Sequence, residues 1–162
     1  MNEKRRLLGM TLDELKGVAF EAGLPGYAAK QMADWLYKKK VTSIAAMTNI
    51  ASAKRALLEK NFEVGAVPPS DLMKSVDGTI KYLYPAGPGN FVESVYIPTE
   101  DRATLCVSSQ VGCKMNCLFC MTGKKGFTKN LSANEILNQI QSLPETEELT
   151  NIVFMGMGEP LD

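Results

Sequence analysis

Apolar residues recur at helical spacing over the first third of the chain and at strand spacing over much of the rest. Leu12, Leu15, Ala19 and Ala22 fall on one face of a 3.6-residue period. Thr11 and Glu14 form a capping box: the Thr11 hydroxyl takes a helix-start N–H while the Glu14 carboxylate reaches back. The Gly-Leu-Pro-Gly run at 23–26 breaks this helix. Ala28, Met32, Trp35 and Leu36 mark a second amphipathic helix, closed by Lys38, Lys39 and Lys40 where cations suit the negative end of the helix dipole. A third helix is predicted over 52–60, with Ala53, Ala56 and Leu57 inward.

Past Pro68 and Pro69 the period shortens. Segments 72–76 and 79–84 flank Asp77 and Gly78, a hairpin signal, and a Gly/Pro loop over 85–90 leads to a strand over 91–97. In that strand, alternation places Glu93 with Val95 and Ile97, opposite Val92, Ser94 and Tyr96. Segment 103–107 is apolar enough to be buried on both faces. Ser132 and Glu135 form a second capping box, opening a helix with Ile136, Leu137, Ile140 and Leu143 inward. A last strand, 151–155, runs into Gly-Met-Gly-Glu-Pro at 156–160. From 103 onward the order is strand, loop, helix, strand, which is one βαβ unit and the start of a parallel sheet. The fold class is therefore α/β, in three parts: a helical domain over 1–62, a β extension over 63–102, and the start of a core domain over 103–162. Two strands and one helix cannot cover both faces of such a sheet, and a full (β/α) barrel needs about 250 residues. A fragment or N-terminal half is expected.

Composition removes several chemistries. The 162 residues include no His, which excludes Ser-His-Asp and Cys-His catalysis and Cys2His2 fingers. No apolar run approaches the roughly 18 residues of a membrane span. The basic start is followed by too short an apolar stretch for a signal peptide, with Asp13 and Glu14 close behind, so a cytoplasmic location and no membrane association are expected. Zero net charge conceals a balance of +5 over residues 1–62 and −5 over 63–162. A basic front end points to a polyanionic partner, and a solvated, lysine-rich helical face reads equally well.

All four cysteines lie between 106 and 120, which in a cytosolic chain reads as metal binding or redox chemistry. Cys113, Cys117 and Cys120 at C-x3-C-x2-C spacing can hold three irons of a cubic iron–sulfur cluster and leave the fourth iron open to an exogenous molecule. Gly112 lets the backbone turn into this loop, and Gly123 and Gly126 let it leave. A zinc site with Cys106 as fourth ligand is the alternative reading, and inert core cysteines are a third.

This loop resembles that of the radical S-adenosylmethionine superfamily. The longer run Thr-Leu-Cys-Val-Ser-Ser-Gln-Val-Gly-Cys-Lys-Met-Asn-Cys-Leu-Phe-Cys-Met-Thr-Gly at 104–123 is similar to the RlmN-type RNA adenine-C2 methyltransferases. Met-Gly-Met-Gly-Glu-Pro-Leu at 155–161 resembles the same family's second strand and turn. With 7–61 and 91–98, the resemblance covers most of the chain. It implies that Cys113, Cys117 and Cys120 ligate a 4Fe-4S cluster. It also implies that Gly158 and Glu159 contact S-adenosylmethionine, that Glu93 accepts a proton, and that Cys106 closes a disulfide when product leaves.

In that family one adenosylmethionine methylates a cysteine and a second is cleaved reductively. The resulting radical activates the S-methyl group, whose carbon adds to the electron-poor C2 of adenine. Ribosomal RNA, transfer RNA or both are the implied substrates, with an electron donor protein as further partner; a monomer is expected. Lys38, Lys39, Lys40, Lys54 and Arg55 are candidate phosphate contacts. Trp35 and Tyr37 are candidate base stackers, although the place of Trp35 on the apolar face also suits a core residue. Phe119 and Met121 are expected to shield the cluster. The family's methyl-carrying cysteine lies in its C-terminal part and has no counterpart here, so this chain alone is expected not to transfer methyl. A radical enzyme of another reaction class and a zinc-stabilised nucleic-acid-binding module remain as rival readings.

Overall fold

The computed structural model describes residues 4–162; residues 1–3, where the expected helical domain begins, lie outside the described residues. The chain forms two compact units, one ending at Ala66 and the other beginning at Val67. This differs from the three expected parts. The strands of the 63–102 stretch that follow Val67 are hydrogen-bonded into one sheet with strands from 103–162, so they are not a separate extension. No helix among the described residues is long and apolar enough to cross a membrane.

In the first unit, strand β1 (Arg5–Arg6) pairs in parallel with β2 (Phe62–Glu63), around helices α1 (Leu12–Glu21), α2 (Ala28–Ala33) and α3 (Ser52–Asn61). The capping box of α1 is formed: Glu14 N–H donates to the Thr11 hydroxyl and Thr11 N–H to the Glu14 carboxylate at 2.6 Å. Gly23 ends the helix at φ +60°. Gly23 N–H reaches the Phe20 carbonyl and Leu24 N–H reaches that of Ala19, the paired bonds of a Schellman turn. A wider turn over Asp34–Lys38 continues α2, closed by Lys39 N–H on the Asp34 carbonyl at 3.0 Å. Leu7, Leu15, Val18, Met32, Leu36, Leu58 and Phe62 form the core.

Expected inward positions on two helices are corrected. Leu12 is exposed, with Val18 taking the buried place on α1. On α3, Ala53, Ala56 and Leu57 face solvent, and the buried residue is Leu58. The face beside Leu58 carries Lys54 and Arg55, whose heads cap the Ala22 and Ala45 carbonyls. Long cationic side chains are tied down inside a helical unit there, which turns the helix by about one residue from the phase its apolar residues suggest.

The second unit is built on a five-stranded mixed sheet of order β3 (Asp71–Lys74), β4 (Ile80–Pro85), β5 (Phe91–Pro98), β6 (Ala103–Cys106) and β9 (Asn151–Val153). The first four strands are antiparallel; β9 lies parallel to β6, with Cys106 opposite Val153. The hairpin between β3 and β4 forms around Asp77 and Gly78 but is longer than two residues, because pairing resumes at Lys74 and Ile80. The Asp77 carboxylate takes the Thr79 N–H and hydroxyl, and Gly78 adopts φ +87°.

Helix α5 (Ala133–Gln141) crosses from β6 to β9, opened by the Ser132–Glu135 capping box. Its inward side differs from the predicted apolar stripe. Asn138 and Gln139 are buried, Ile136 and Ile140 flank them in the core, and Leu137 is not part of it. Both amides bracket backbone. Asn138 takes the Val67 N–H at 2.7 Å and donates to its carbonyl at 2.8 Å; Gln139 does the same to Ser108 at 2.9 and 3.0 Å. Tyr82 and Tyr96 point from the sheet to Glu145 and Glu148 just beyond the helix, at 2.7 and 2.6 Å. Burial and these carboxylates hold the Tyr82 hydroxyl far above its ordinary pKa, and the Glu148 hydrogen bond pushes that of Tyr96 up to about 12.

The phase of α3 is open to direct measurement. Leu58→Ala is expected to cost about 2–5 kcal/mol in chemical denaturation, and Leu57→Ala less than about 1 kcal/mol. The reverse order would contradict this packing.

Candidate functional site

A two-stranded ribbon, β7 (Gln110–Gly112) against β8 (Phe127–Asn130), carries residues 113–126 as a loop. Cys113 N–H closes its base on the Gly126 carbonyl at 3.1 Å. Gly112 adopts φ +79°, and a Cβ there would collide with that same carbonyl, so only glycine passes. Cys120 precedes the single helical turn α4 (Met121–Lys124). The Gly123 N–H, with lesser help from the Thr122 N–H and hydroxyl, holds the Cys120 thiol below its ordinary pKa against the opposing effect of burial. Cys113 Sγ accepts from Met115 N–H at 3.5 Å. A lowered thiol pKa favours the thiolate that binds metal.

Sulfur-only donors, N–H groups aimed at the sulfurs, and a loop base closed to side chains together fit an iron–sulfur cluster. Among the described residues no three Cys, Asp or Glu side chains are gathered tightly enough for a single metal ion. Cys106, the fourth ligand of the zinc alternative, stands in β6 opposite Val95 and Val153. Phe119 and Met121 are exposed.

The Gly-Met-Gly-Glu turn after β9 lies against residues 107–110. Gly156 N–H bonds the Val107 carbonyl, and the Met157 carbonyl takes Ser109 and Gln110 N–H at 2.9 and 3.2 Å. Ser108, fully buried, receives the Met157 N–H on its hydroxyl at 2.9 Å and donates to the Glu93 carbonyl at 2.5 Å. A Cβ at Gly156 would come within 2.7 Å of Ser108 Oγ, and one at Gly158, where φ is +102°, within 2.6 Å of the Gln110 Cβ. Both glycines are required by this close approach. Glu159 N–H then donates to Gln110 Oε1 at 3.1 Å. The turn bearing Gly158 and Glu159 and the ribbon bearing the cysteine loop therefore meet at Gln110.

Glu93 and Cys106 share one face of the sheet, the half-buried one opposite α5. Val95 is paired with Cys106, so Glu93 is the diagonal neighbour, a relation that spans about 7–8 Å in sheets. Lys81 pairs with the Glu93 carboxylate at 3.1 Å. Both border a shallow cavity of about 150 Å³ with Asp71, Met73 and Leu83. Burial pushes the Cys106 thiol up.

In the first unit, most of the candidate RNA contacts have local work. Lys54 caps the Ala22 carbonyl at 3.0 Å and Arg55 that of Ala45. Lys38 pairs with Asp34 at 3.0 Å, and Lys39 lies 3.5 Å over the Trp35 ring. Trp35 donates to Asn49, and the Tyr37 hydroxyl bridges Gly9 N–H and the Met10 carbonyl. Tyr37 is thus a bracket within the unit rather than a free stacking ring.

Residues 5–64 match the ribosomal RNA large subunit methyltransferase N-terminal domain, and residues 107–162 match the radical SAM superfamily. The probable dual-specificity RNA methyltransferase RlmN of Parabacteroides distasonis is 81% identical over all 162 residues, which make up 47% of its length. The chain matches the N-terminal portion of the RlmN proteins. The dual-specificity RNA methyltransferase RlmN of Geotalea uraniireducens is 46% identical over 98% of the chain and 46% of its own length. A radical SAM methyltransferase from Sphaerobacter thermophilus superposes with a TM-score of 0.86 at 37% identity, covering 97% of this chain and 48% of that one. The chain spans about half the length of the curated relatives it matches, and its α/β unit is part of a radical-SAM fold.

Sequence reasoning missed Ser108, Gln110, Gln139 and Lys81. Of these only Gln139 carried a signal: it lies three residues beyond Ile136, on the inward side of an amphipathic helix, and a buried amide demands a partner. The two shifted thiols lead to a reactivity order. In metal-free protein near neutral pH, Cys120 is expected to hold more thiolate than an ordinary cysteine and Cys106 less. Iodoacetamide should therefore modify Cys120 before Cys106, and raising the pH should close the gap; peptide mapping that finds Cys106 modified ahead of Cys120 would refute the assignment.

Proposed function

We propose that the whole protein is a radical-SAM methyltransferase acting on C2 of adenine in ribosomal and transfer RNA, and that this chain supplies the front of its site. The observation that carries the reading is the meeting of the cysteine loop and the Glu159 turn at one residue, Gln110. Cys113, Cys117 and Cys120 would hold a 4Fe-4S cluster, with Gly158 and Glu159 receiving the methionyl end of S-adenosylmethionine. When bound, these groups supply the one-electron chemistry needed to activate a methyl group for an electron-poor carbon.

The remaining tasks fall to side chains of the sheet. Glu93, steered by the Lys81 ammonium, accepts the proton that leaves C2. Cys106, whose thiol burial pushes up, is held on the same face for the disulfide that frees the product. The methyl-carrying cysteine is not among this chain's four. Folded RNA and an electron donor protein are the proposed partners, in the cytoplasm, with the protein acting as a monomer. Lys38, Lys39 and Lys40 remain the basic candidates for phosphate contact; Lys54 and Arg55 serve as caps.

Anaerobic reconstitution of the whole protein tests this directly. About four iron and four sulfide per chain are expected, lost in Cys117→Ala, with a visible spectrum that responds to S-adenosylmethionine. Glu93→Gln should keep iron and S-adenosylmethionine binding while methyl transfer to RNA falls about 100-fold or more. One zinc per chain and no colour would replace this reading with a zinc-stabilised binding module.

A further inference from the structure

We propose that Gln110 is a positioning residue: it sets the height of Glu159 over the cysteine loop and couples the two through Asp162 and Lys114. This rests on Glu159 being the S-adenosylmethionine contact.

The Gln110 side chain is buried, with 1% of its surface exposed, and both ends of its amide are used. Oε1 accepts the Glu159 N–H at 3.1 Å. Nε2 donates to Asn130 Oδ1 at 3.0 Å, across the ribbon that carries the loop, and to Asp162 Oδ2 at 3.2 Å, beyond the turn. Asp162 in turn pairs with the Lys114 ammonium at 3.0 Å, one residue past Cys113. Lys114 also lies 4.6 Å over the Phe127 ring at the other root of the loop. One amide thus touches the turn on both sides of Pro160 and reaches both roots of the cysteine loop.

The chemistry asks for glutamine. An aliphatic side chain would offer neither bond, and a carboxylate could accept from Glu159 but not donate to Asp162. Backbone bonds to residues 107–110 and the Ser108 hydroxyl seat the turn as far as Met157; beyond it, where Gly158 offers no side chain, the Gln110 amide supplies the bonds to Glu159 and Asp162. Where Gln110 stands, Glu159 follows.

The test uses the reconstituted whole protein, with S-adenosylmethionine as probe. Gln110→Met keeps the side chain's length and removes the amide. Iron and sulfide content should be retained, while S-adenosylmethionine binding weakens about tenfold or more. The change that S-adenosylmethionine causes in the electron paramagnetic resonance of the reduced cluster should also be altered. A purely structural role would lower thermal stability and leave that spectral change alone. Asp162→Ala, at an exposed position, should weaken binding a few-fold. The double variant should lose less than the product of the two, since both act through one network. Binding within twofold of the unsubstituted protein, with an unchanged spectrum, in Gln110→Met overturns the proposal; if that variant does not fold, the same result in Asp162→Ala does so. Unsubstituted protein that loads iron but binds no S-adenosylmethionine would overturn the underlying reading, and this proposal with it.

Discussion

Residue Ser108 is where the second unit is pinned together. The chain leaves strand β6 just before it and must expose backbone groups there, since the neighbouring strand has given way to a glycine turn. Gln139 answers by presenting its side-chain amide as a strand would present a peptide, accepting the Ser108 N–H and donating to the Ser108 carbonyl. Buried backbone groups left unpaired cost about 1–3 kcal/mol each, so this bracket fixes the point at which strand β6 gives way to the segment leading to the cysteines. The Ser108 hydroxyl then carries the constraint outward, to Glu93 on one strand and to Met157 in the turn after another.

That pinning explains the glycines. With Ser108 and Gln110 fixed, the turn after β9 can bond to them only if its backbone approaches without side chains, and Gly156 and Gly158 are the two positions where a Cβ would strike. Close approach lets backbone N–H groups reach side-chain acceptors, and the resulting bonds place Glu159 next to the ribbon that carries the cysteines. The loop is built by the same logic. Its base is closed by a glycine at positive φ, and N–H groups turned toward Cys120 lower the cost of a thiolate.

The two faces of the sheet divide the labour. One is sealed by α5, by Tyr82, Tyr84 and Tyr96, and by the carboxylates just past the helix. The other keeps Glu93, Lys81 and Cys106 half-exposed, ordered by strand register and by the Lys81–Glu93 ion pair. A rigid, covered back and an open, polar front suit a surface meant to receive another group.

Interactions within a few residues were legible in the sequence. Both capping boxes form, the βαβ order holds, Glu93 shares its face with Val95 and Ile97, and the cysteine spacing alone singles out the loop. Each follows from backbone geometry that repeats every two or 3.6 residues. The phase of α3 did not follow, because it depends on carbonyls of Ala22 and Ala45 that lie far along the chain from Lys54 and Arg55. Nor did the ribbon under the cysteine loop, or the roles of Ser108, Gln110 and Gln139. A polar residue in a sequence shows that a hydrogen bond must be made. Only the tertiary structure, by bringing distant backbone within about 3 Å of it, decides with which partner.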